Sequence, residues 1–160
     1  MAIRVRRVSS TNDLQKAFTI RKRVFVREQG VPAEIELDRH DKRAFHFLAF
    51  DGEKPLATAR VVVRHGGAKI GRMAVLRSHR GRGIGKALLK RAVQTARRQG
   101  AQKIYLHAQV AVIEFYQKMG FRCTGPVFRE AGIPHRKMVW TQLREEGKFR
   151  RDQPAPHQSS

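Results

Sequence analysis

Hydrophobic and polar residues follow two different patterns along this chain, and the changes between them outline its predicted elements. Alternating, β-branched or continuously apolar runs predict strands, whereas apolar positions three and four residues apart predict helices. The predicted strands cover residues 3–8, 44–50, 56–64, 68–76, 103–108, 121–128 and 137–143. The predicted helices cover residues 11–25, which Ser10 or Thr11 can cap, residues 83–99 and residues 112–119.

The order of these elements predicts the fold class. Antiparallel strands come first, with Asp51-Gly52 as a hairpin turn, and strands alternate with helices later. This order is typical of an α/β fold with three layers, a mixed central sheet of about six to seven strands with helices on both faces. A chain of 160 residues suits a single domain. We expect that domain to span residues 1–145, and we expect residues 146–160 to form a disordered tail.

Composition narrows the class of protein. A hydrophobic content of 41% suits a globular chain, and no segment approaches the ~20 apolar residues of a membrane span. The first residues enter a strand pattern without the apolar core of a signal peptide. The single cysteine, Cys123, cannot form an internal disulfide. We therefore expect a cytoplasmic protein without a membrane partner.

Charge is unevenly distributed over this basic chain, whose net charge is +21. Residues 77–103 contain many lysines and arginines and no acidic residue, whereas residues 28–41 are rich in Asp and Glu. A total of this size fits a solubilised basic surface or a polyanionic partner. The division favours a ligand with phosphates near the basic segment and an amine near the acidic one.

A glycine-rich, arginine-bearing turn joins the strand at 68–76 to the helix at 83–99. Glycines remove side chains where a backbone must approach a ligand, and the start of a helix points free N–H groups at that ligand. The segment therefore predicts a phosphate-binding turn. Its spacing fits neither a dinucleotide fingerprint nor a P-loop. It fits R-x-x-G-x-G, with Arg80, Gly83 and Gly85 in the fixed places.

With these residues the chain resembles the GCN5-related N-acetyltransferases, whose signature binds the pyrophosphate of acetyl-coenzyme A through backbone amides. A second match is N-x-x-A-x-x-x-Y-x-x-x-G-F, in which Tyr116, Gly120 and Phe121 agree, while Gln109 and Val112 replace the Asn and the Ala. Residues 21–32, with the acids that follow them, and residues 128–138 resemble the ElaA-like subgroup. The resemblance covers about residues 3–141.

The resemblance implies that acetyl-coenzyme A is the co-substrate and that an amine attacks it directly in a ternary complex. A backbone N–H near Ala74 or Val75 would polarise the thioester carbonyl. The residues expected to bind the coenzyme are Met73, Ala74, Val75, Arg80, Gly81, Arg82, Gly83, Ile84, Gly85 and Lys86.

Three side chains are candidates for proton transfer. Tyr116 would protonate the departing thiolate, although its place on an apolar stripe also suits a core aromatic. Glu28 or His135 would deprotonate the incoming amine. Glu28 equally suits an ion pair, and His135 equally suits a hydrogen bond within a loop. We expect no metal site, because the charged residues at 38–41 lack zinc-ligand spacing.

Two alternatives remain at the level of sequence, a basic nucleic-acid-binding module and an acyl-coenzyme A-binding protein without catalysis. Nucleic-acid binding is disfavoured, since residues 77–103 contain no aromatic residue interleaved with the basic ones. The acceptor is expected to be an amine on a small molecule or peptide, and its identity is left open. The chain is compatible with a homodimer.

Overall fold

The computed structural model describes residues 2–33 and 38–141. The expected domain boundary at 145 and the expected tail at 146–160 lie outside these residues. The strands are β1 (Ile3–Arg7), β2 (Phe45–Asp51), β3 (Lys54–Arg64), β4 (Gly67–Val75), β5 (Lys103–Gln109), β6 (Phe121–Glu130) and β7 (Ile133–Trp140). The α-helices are α1 (Thr11–Arg21), α2 (Ile84–Arg98) and α3 (Ile113–Lys118). Within the described ranges, no helix has the length and apolarity needed to cross a bilayer.

One mixed sheet contains the seven strands in the order β1-β2-β3-β4-β5-β7-β6. Every neighbouring pair is antiparallel except β4 and β5, which are parallel and joined by α2. Their pairing runs from Gly67 with Lys103 to Ile70 with Leu106 and extends no further, although both strands continue. The two strands therefore separate in the middle of the sheet and leave a gap between their carboxyl ends.

Helices cover both faces of this sheet, which confirms the predicted fold class. Ala17, Ile20 and Val24 pack on one face against Leu48 and Phe50. The other face holds the larger core, where α2 buries the apolar stripe predicted from the sequence, Leu88, Leu89, Ala92, Val93 and Ala96. Ser10 caps α1 by accepting a hydrogen bond from the N–H of Asp13 at 3.1 Å.

The first helix departs from the expected α-helical period near its end. At Lys22 the backbone widens into a π-helical segment, Lys22–Glu28, in which the N–H of Gln29 reaches the carbonyl of Val24 at 3.1 Å. Such segments are rare and often lie at functional sites. Here the wider turn brings Glu28 to the glycine-rich segment before α2.

The last two strands also differ from expectation. They form a hairpin closed by Ala131 and Gly132, both at positive φ, so β7 begins at Ile133 rather than at residue 137. His135, expected in a loop, consequently lies within a strand.

A network of ion pairs, most of it buried, joins the segment at residues 38–41 to α1 and to the sheet. Asp41 accepts hydrogen bonds from Arg21 at 2.7 Å and from Arg60 at 3.0 Å. Asp38 accepts from Arg60 at 2.7 Å and from Arg72 at 3.0 Å. Burial opposes ionisation of Asp41, but the guanidinium groups outweigh it and lower its pKa to about 2. Removing one carboxylate from such a network leaves buried positive charge less well compensated.

We predict that Asp41→Asn destabilises the protein by roughly 3–5 kcal/mol, because Arg21 and Arg60 lose their shared partner. Since the pKa of Asp41 falls from 3.8 to about 2 on folding, its contribution is complete above pH 4 and disappears towards pH 2. Urea unfolding across that range should show the wild type and the variant converging as the pH falls. Glu53→Gln, at an exposed position, is the matched control, and a constant difference between wild type and Asp41→Asn would contradict the assignment.

Candidate active site

The gap between β4 and β5 opens into a cleft of about 1090 Å³. The start of α2 and the turn before it lie at one end, and the open face of β5 and β7 lies at the other. Most of the side chains singled out from the sequence line this cleft, including the residues from Met73 to Val75, Arg80, Gly81, the residues from Gly83 to Lys86, Tyr116 and His135. Glu28 and Arg82 lie outside the lining.

The three glycines of the turn have different structural roles. Gly81 and Gly83 have φ angles of +78° and +82°, which residues other than glycine rarely adopt. A Cβ on either glycine would meet nothing within 4 Å. The space above them is therefore open. A Cβ on Gly85 would lie 3.6 Å from the Phe115 ring, an ordinary van der Waals distance, so Gly85 lies where α2 meets α3.

Gly83 begins α2 without any side-chain cap. The first N–H groups of a helix have no partner within the helix and carry its positive dipole end. The open space above Gly81 and Gly83 thus faces unpaired donors, which is the arrangement that binds a phosphate.

Arg80 and Glu28, predicted for two separate roles, form one ion pair. The guanidinium donates to both carboxylate oxygens of Glu28, at 2.7 and 2.8 Å, while its Nε donates to the carbonyl of Val75 at 2.9 Å. Arg77 adds a contact at 3.4 Å. The hydrogen bonds from Arg80 hold the pKa of Glu28 below its usual range. In this arrangement Arg80 is fixed against the end of β4.

The backbone of Val75 offers an N–H group to the gap. The N–H of Leu76 donates to the carbonyl of Leu56 in β3 at 2.9 Å, whereas the carbonyl of Val75 accepts from Arg80. Successive residues of a strand direct their backbone groups to opposite sides. The N–H of Val75 therefore points away from β3 and towards the cleft.

Tyr116 stands on α3 with its ring between Phe115 and Phe121, at centroid distances of 5.0 and 6.1 Å. Burial raises the pKa of its hydroxyl to about 12. The hydroxyl therefore keeps its proton over the whole working range of pH. Tyr116 both packs on the core and lines the cleft, so its two predicted roles are compatible.

His135 is buried on β7 and stacks on Phe128 at 6.0 Å. Its Nδ1 lies 2.7 Å from the carbonyl of Ile133, and a carbonyl can only accept a hydrogen bond. Nδ1 therefore carries the proton, and Nε2 of the neutral ring has a free lone pair.

Another histidine that lines the cleft, His107, was not singled out by the sequence analysis. Nδ1 of His107 lies 2.9 Å from a carboxylate oxygen of Glu130, and both residues line the cleft. This hydrogen bond lowers the pKa of Glu130 to about 2. The two residues are 23 positions apart in the chain. Only the pairing of β5 with β7 and of β7 with β6 brings them together, and no local motif signals it.

Gln109 occupies the position where the family motif has Asn. Its side chain caps no helix and instead donates to Gln29 at 3.0 Å. The chain then forms a 3₁₀ turn, Val110–Val112, before α3 begins. Tyr116 nevertheless reaches the cleft.

Comparison with known proteins agrees with this fold and cleft. Residues 9–142 match the model of the acetyltransferase (GNAT) domain family. The chain is 40% identical over 127 residues to the uncharacterized N-acetyltransferase YjcF of Bacillus subtilis, covering 79% of this chain and 91% of YjcF. It is 31% identical over 131 residues to ElaA of Escherichia coli, covering 79% and 86%. An acyl-CoA N-acyltransferase from Pseudomonas aeruginosa has a TM-score of 0.77 at 28% identity, covering 86% and 99%.

The family match and these relatives identify the chain as an acyl-coenzyme A-dependent acetyltransferase. The chain is a member of the GNAT family and of its ElaA-like subgroup, as the sequence motifs predicted.

Proposed function

We propose that this protein transfers an acetyl group from acetyl-coenzyme A to a primary amine, by direct attack within a ternary complex. The observation that carries the proposal is the meeting of three features in one cleft, namely the open helix start at Gly83, the inward N–H of Val75 and the protonated hydroxyl of Tyr116. Acetyl-coenzyme A supplies an acyl group that is already activated, so no covalent enzyme intermediate is needed.

The coenzyme phosphates would lie over Gly81 and Gly83, against the free N–H groups of Ile84, Gly85 and Lys86. The side chains of Arg82 and Lys86 add positive charge at this end. Met73 and Ala74 contribute the wall of β4 beside the acyl group, and the N–H of Val75 polarises its carbonyl.

Glu28 acts through Arg80 in this proposal. A carboxylate that already accepts two guanidinium hydrogen bonds, and whose pKa they lower, is a weak proton acceptor. We therefore propose Glu28 as a positioning residue, which holds Arg80 against Val75 and so shapes the coenzyme end of the cleft.

Proton transfer would use groups on the β5 side of the gap. Tyr116 gives its proton to the leaving sulfur, and the burial that raises the pKa of Tyr116 also favours the neutral thiol over the thiolate. The amine proton passes to an imidazole. His107 and His135 both present a free Nε2, and Glu130 beside His107 stabilises the cation that forms. We propose His107 as the base, with His135 as the alternative.

Gly83→Val should weaken acetyl-coenzyme A binding by at least about tenfold, because the added branch occupies the space left for the phosphates. The test is calorimetric titration of the folded variant. Gly100→Val is the matched control, since Gly100 has a similar φ of +78° and open surroundings at the other end of α2. Equal affinities of Gly83→Val and wild type for acetyl-coenzyme A would show that the coenzyme phosphates do not bind over Gly83.

Tyr116→Phe keeps the packed ring and deletes the hydroxyl. General acids typically contribute 10²–10⁴-fold, so we expect single-turnover acetyl transfer to fall by about that factor with coenzyme affinity nearly unchanged. Thiol release and the thermal midpoint are measured on the same preparation. A lower midpoint with wild-type transfer per folded molecule would assign Tyr116 a structural role alone.

His107→Gln should lower transfer by about 10²-fold, and added imidazole should restore part of it, because a free base can replace the missing side chain. His135→Gln, at the neighbouring imidazole, should cost less and show no rescue. The pH profiles of kcat/KM for the three proteins provide the comparison. If added imidazole restores activity only to His135→Gln, the general base is His135 rather than His107.

A further inference from the structure

Lys69 is a cation in the cleft that the mechanism does not use. It lies on β4 one residue before the strands separate, opposite Tyr105 in the register of β4 and β5. Its neighbours Ala68 and Ile70 point into the core beneath α2, so Lys69 points to the other face, where it lines the cleft. The side chain is partly buried. Within residues 2–33 and 38–141, no hydrogen bond or ion pair engages its ammonium group.

The carboxylates that could neutralise Lys69 are engaged elsewhere. Asp38 accepts hydrogen bonds from Arg60 at 2.7 Å and from Arg72 at 3.0 Å. Glu130 accepts one from His107 at 2.9 Å. Both carboxylates attract Lys69 electrostatically, but Arg60 and Arg72 repel it.

Four described charged groups act on Lys69 electrostatically, namely two carboxylates and two guanidinium groups. The two attractive and the two repulsive charges are equal in number. Among the described residues, the ammonium group of Lys69 therefore adds a positive charge that no carboxylate pairs with directly.

Burial lowers the pKa of Lys69, which shows that its charged form is poorly solvated. A cation removed from water is unfavourable unless an anion accompanies it. The described protein supplies no direct partner, and the position opens into the cleft. A ligand with a negative group would complete the site.

The described part of the acidic segment is already paired. From sequence, this segment favours a ligand with an amine near it. Its described carboxylates, Glu28, Asp38 and Asp41, form ion pairs with arginine side chains. Among the described residues that line the cleft near β5 and β7, the ammonium group of Lys69 has no such ion pair.

We propose that the acceptor amine carries an anionic group, a carboxylate or a phosphate, and that Lys69 binds this group. The substrate class is then an amino acid or an aminoalkyl phosphate, with its amine towards His107 and its anion towards β4. The proposal rests on the acetyl-transfer function above and specifies its acceptor.

Matched pairs of amines test the proposal. Each pair differs only in the anion: β-alanine and ethylamine, γ-aminobutyrate and propylamine, phenylalanine and phenethylamine, O-phosphoethanolamine and ethanolamine. Release of free thiol from acetyl-coenzyme A reports transfer, and calorimetry on the full chain with coenzyme A reports binding. The carboxylate pairs and the phosphate pair separate the two kinds of anion.

Three variants accompany the panel. Lys69→Met removes the charge and keeps the side-chain length, Lys69→Arg keeps the charge, and Lys90→Met removes an exposed lysine on the outer face of α2. For the best anionic acceptor we expect Lys69→Met to raise KM by about tenfold or more with little change in kcat, since a charge-assisted hydrogen bond is lost. Lys69→Arg should restore most of the affinity. The neutral partner amine and Lys90→Met should change less than about twofold.

The outcomes separate this proposal from the function on which it rests. If neutral amines bind and react as well as their anionic partners, or if Lys69→Met affects both members of a pair equally, the anion site is wrong and acetyl transfer stands. If an anionic amine binds in a Lys69-dependent manner but no amine in the panel is acetylated, the anion site stands and the proposed transfer is wrong.

Discussion

The separation of β4 and β5 is the constraint on which the rest of this structure depends. A parallel pair inside a sheet normally continues its hydrogen bonds along the full length of both strands. Here the pairing ends at Ile70 and Leu106, and the backbone groups beyond that point face a gap. The bulge around Arg72, whose φ is +49°, lies on β4 just past the last pair. The resulting opening lets a ligand approach the middle of a sheet whose faces are otherwise covered by helices.

The elements around the gap are held in place by different kinds of interaction. Apolar packing fixes α2 and α3, which meet where Gly85 lies beside the Phe115 ring. Charged pairs fix the N-terminal third, through Arg80 with Glu28 on one side and the Arg60-Asp38 network on the other. Apolar packing therefore positions the helices beside the gap, whereas ion pairs position the N-terminal third. The geometry of the buried pairs is specific because unpaired members are costly.

The large positive charge of the chain includes basic groups around the cleft whose surroundings differ. Arginines beside the cleft, such as Arg60, Arg72 and Arg80, are paired with carboxylates and so contribute to the fold. The backbone N–H groups at the start of α2 and the ammonium group of Lys69 lie where we propose that the anionic groups of the two substrates bind. Net charge alone would not separate these two populations.

The sequence by itself determined the features that depend on interactions between residues close together in the chain. The apolar stripe of α2, the Ser10 cap and the glycine-rich segment before α2 depend on neighbours within a few residues, and each was predicted. The motif around Tyr116 was recognisable for the same reason. The hairpin expected at Asp51-Gly52 forms one residue later, with Gly52 and Glu53 as its loop, because Asp51 still pairs with Lys54. The start of β7 was misplaced, because the Ala131-Gly132 turn left only a weak local signal.

Only the tertiary structure decided which charges meet. Glu28 and Arg80 are 52 residues apart, and Arg72 and Asp38 are 34 apart, so no spacing rule links them. The pairing of His107 with Glu130 required the register of three strands, and a shift by one residue would have turned either side chain to the other face. The sequence specifies which side chains carry charge, but which of them pair depends on packing across the sheet. That is why the glycine-rich turn before α2 was predictable, whereas the pairing of charges across the sheet emerged only from the fold.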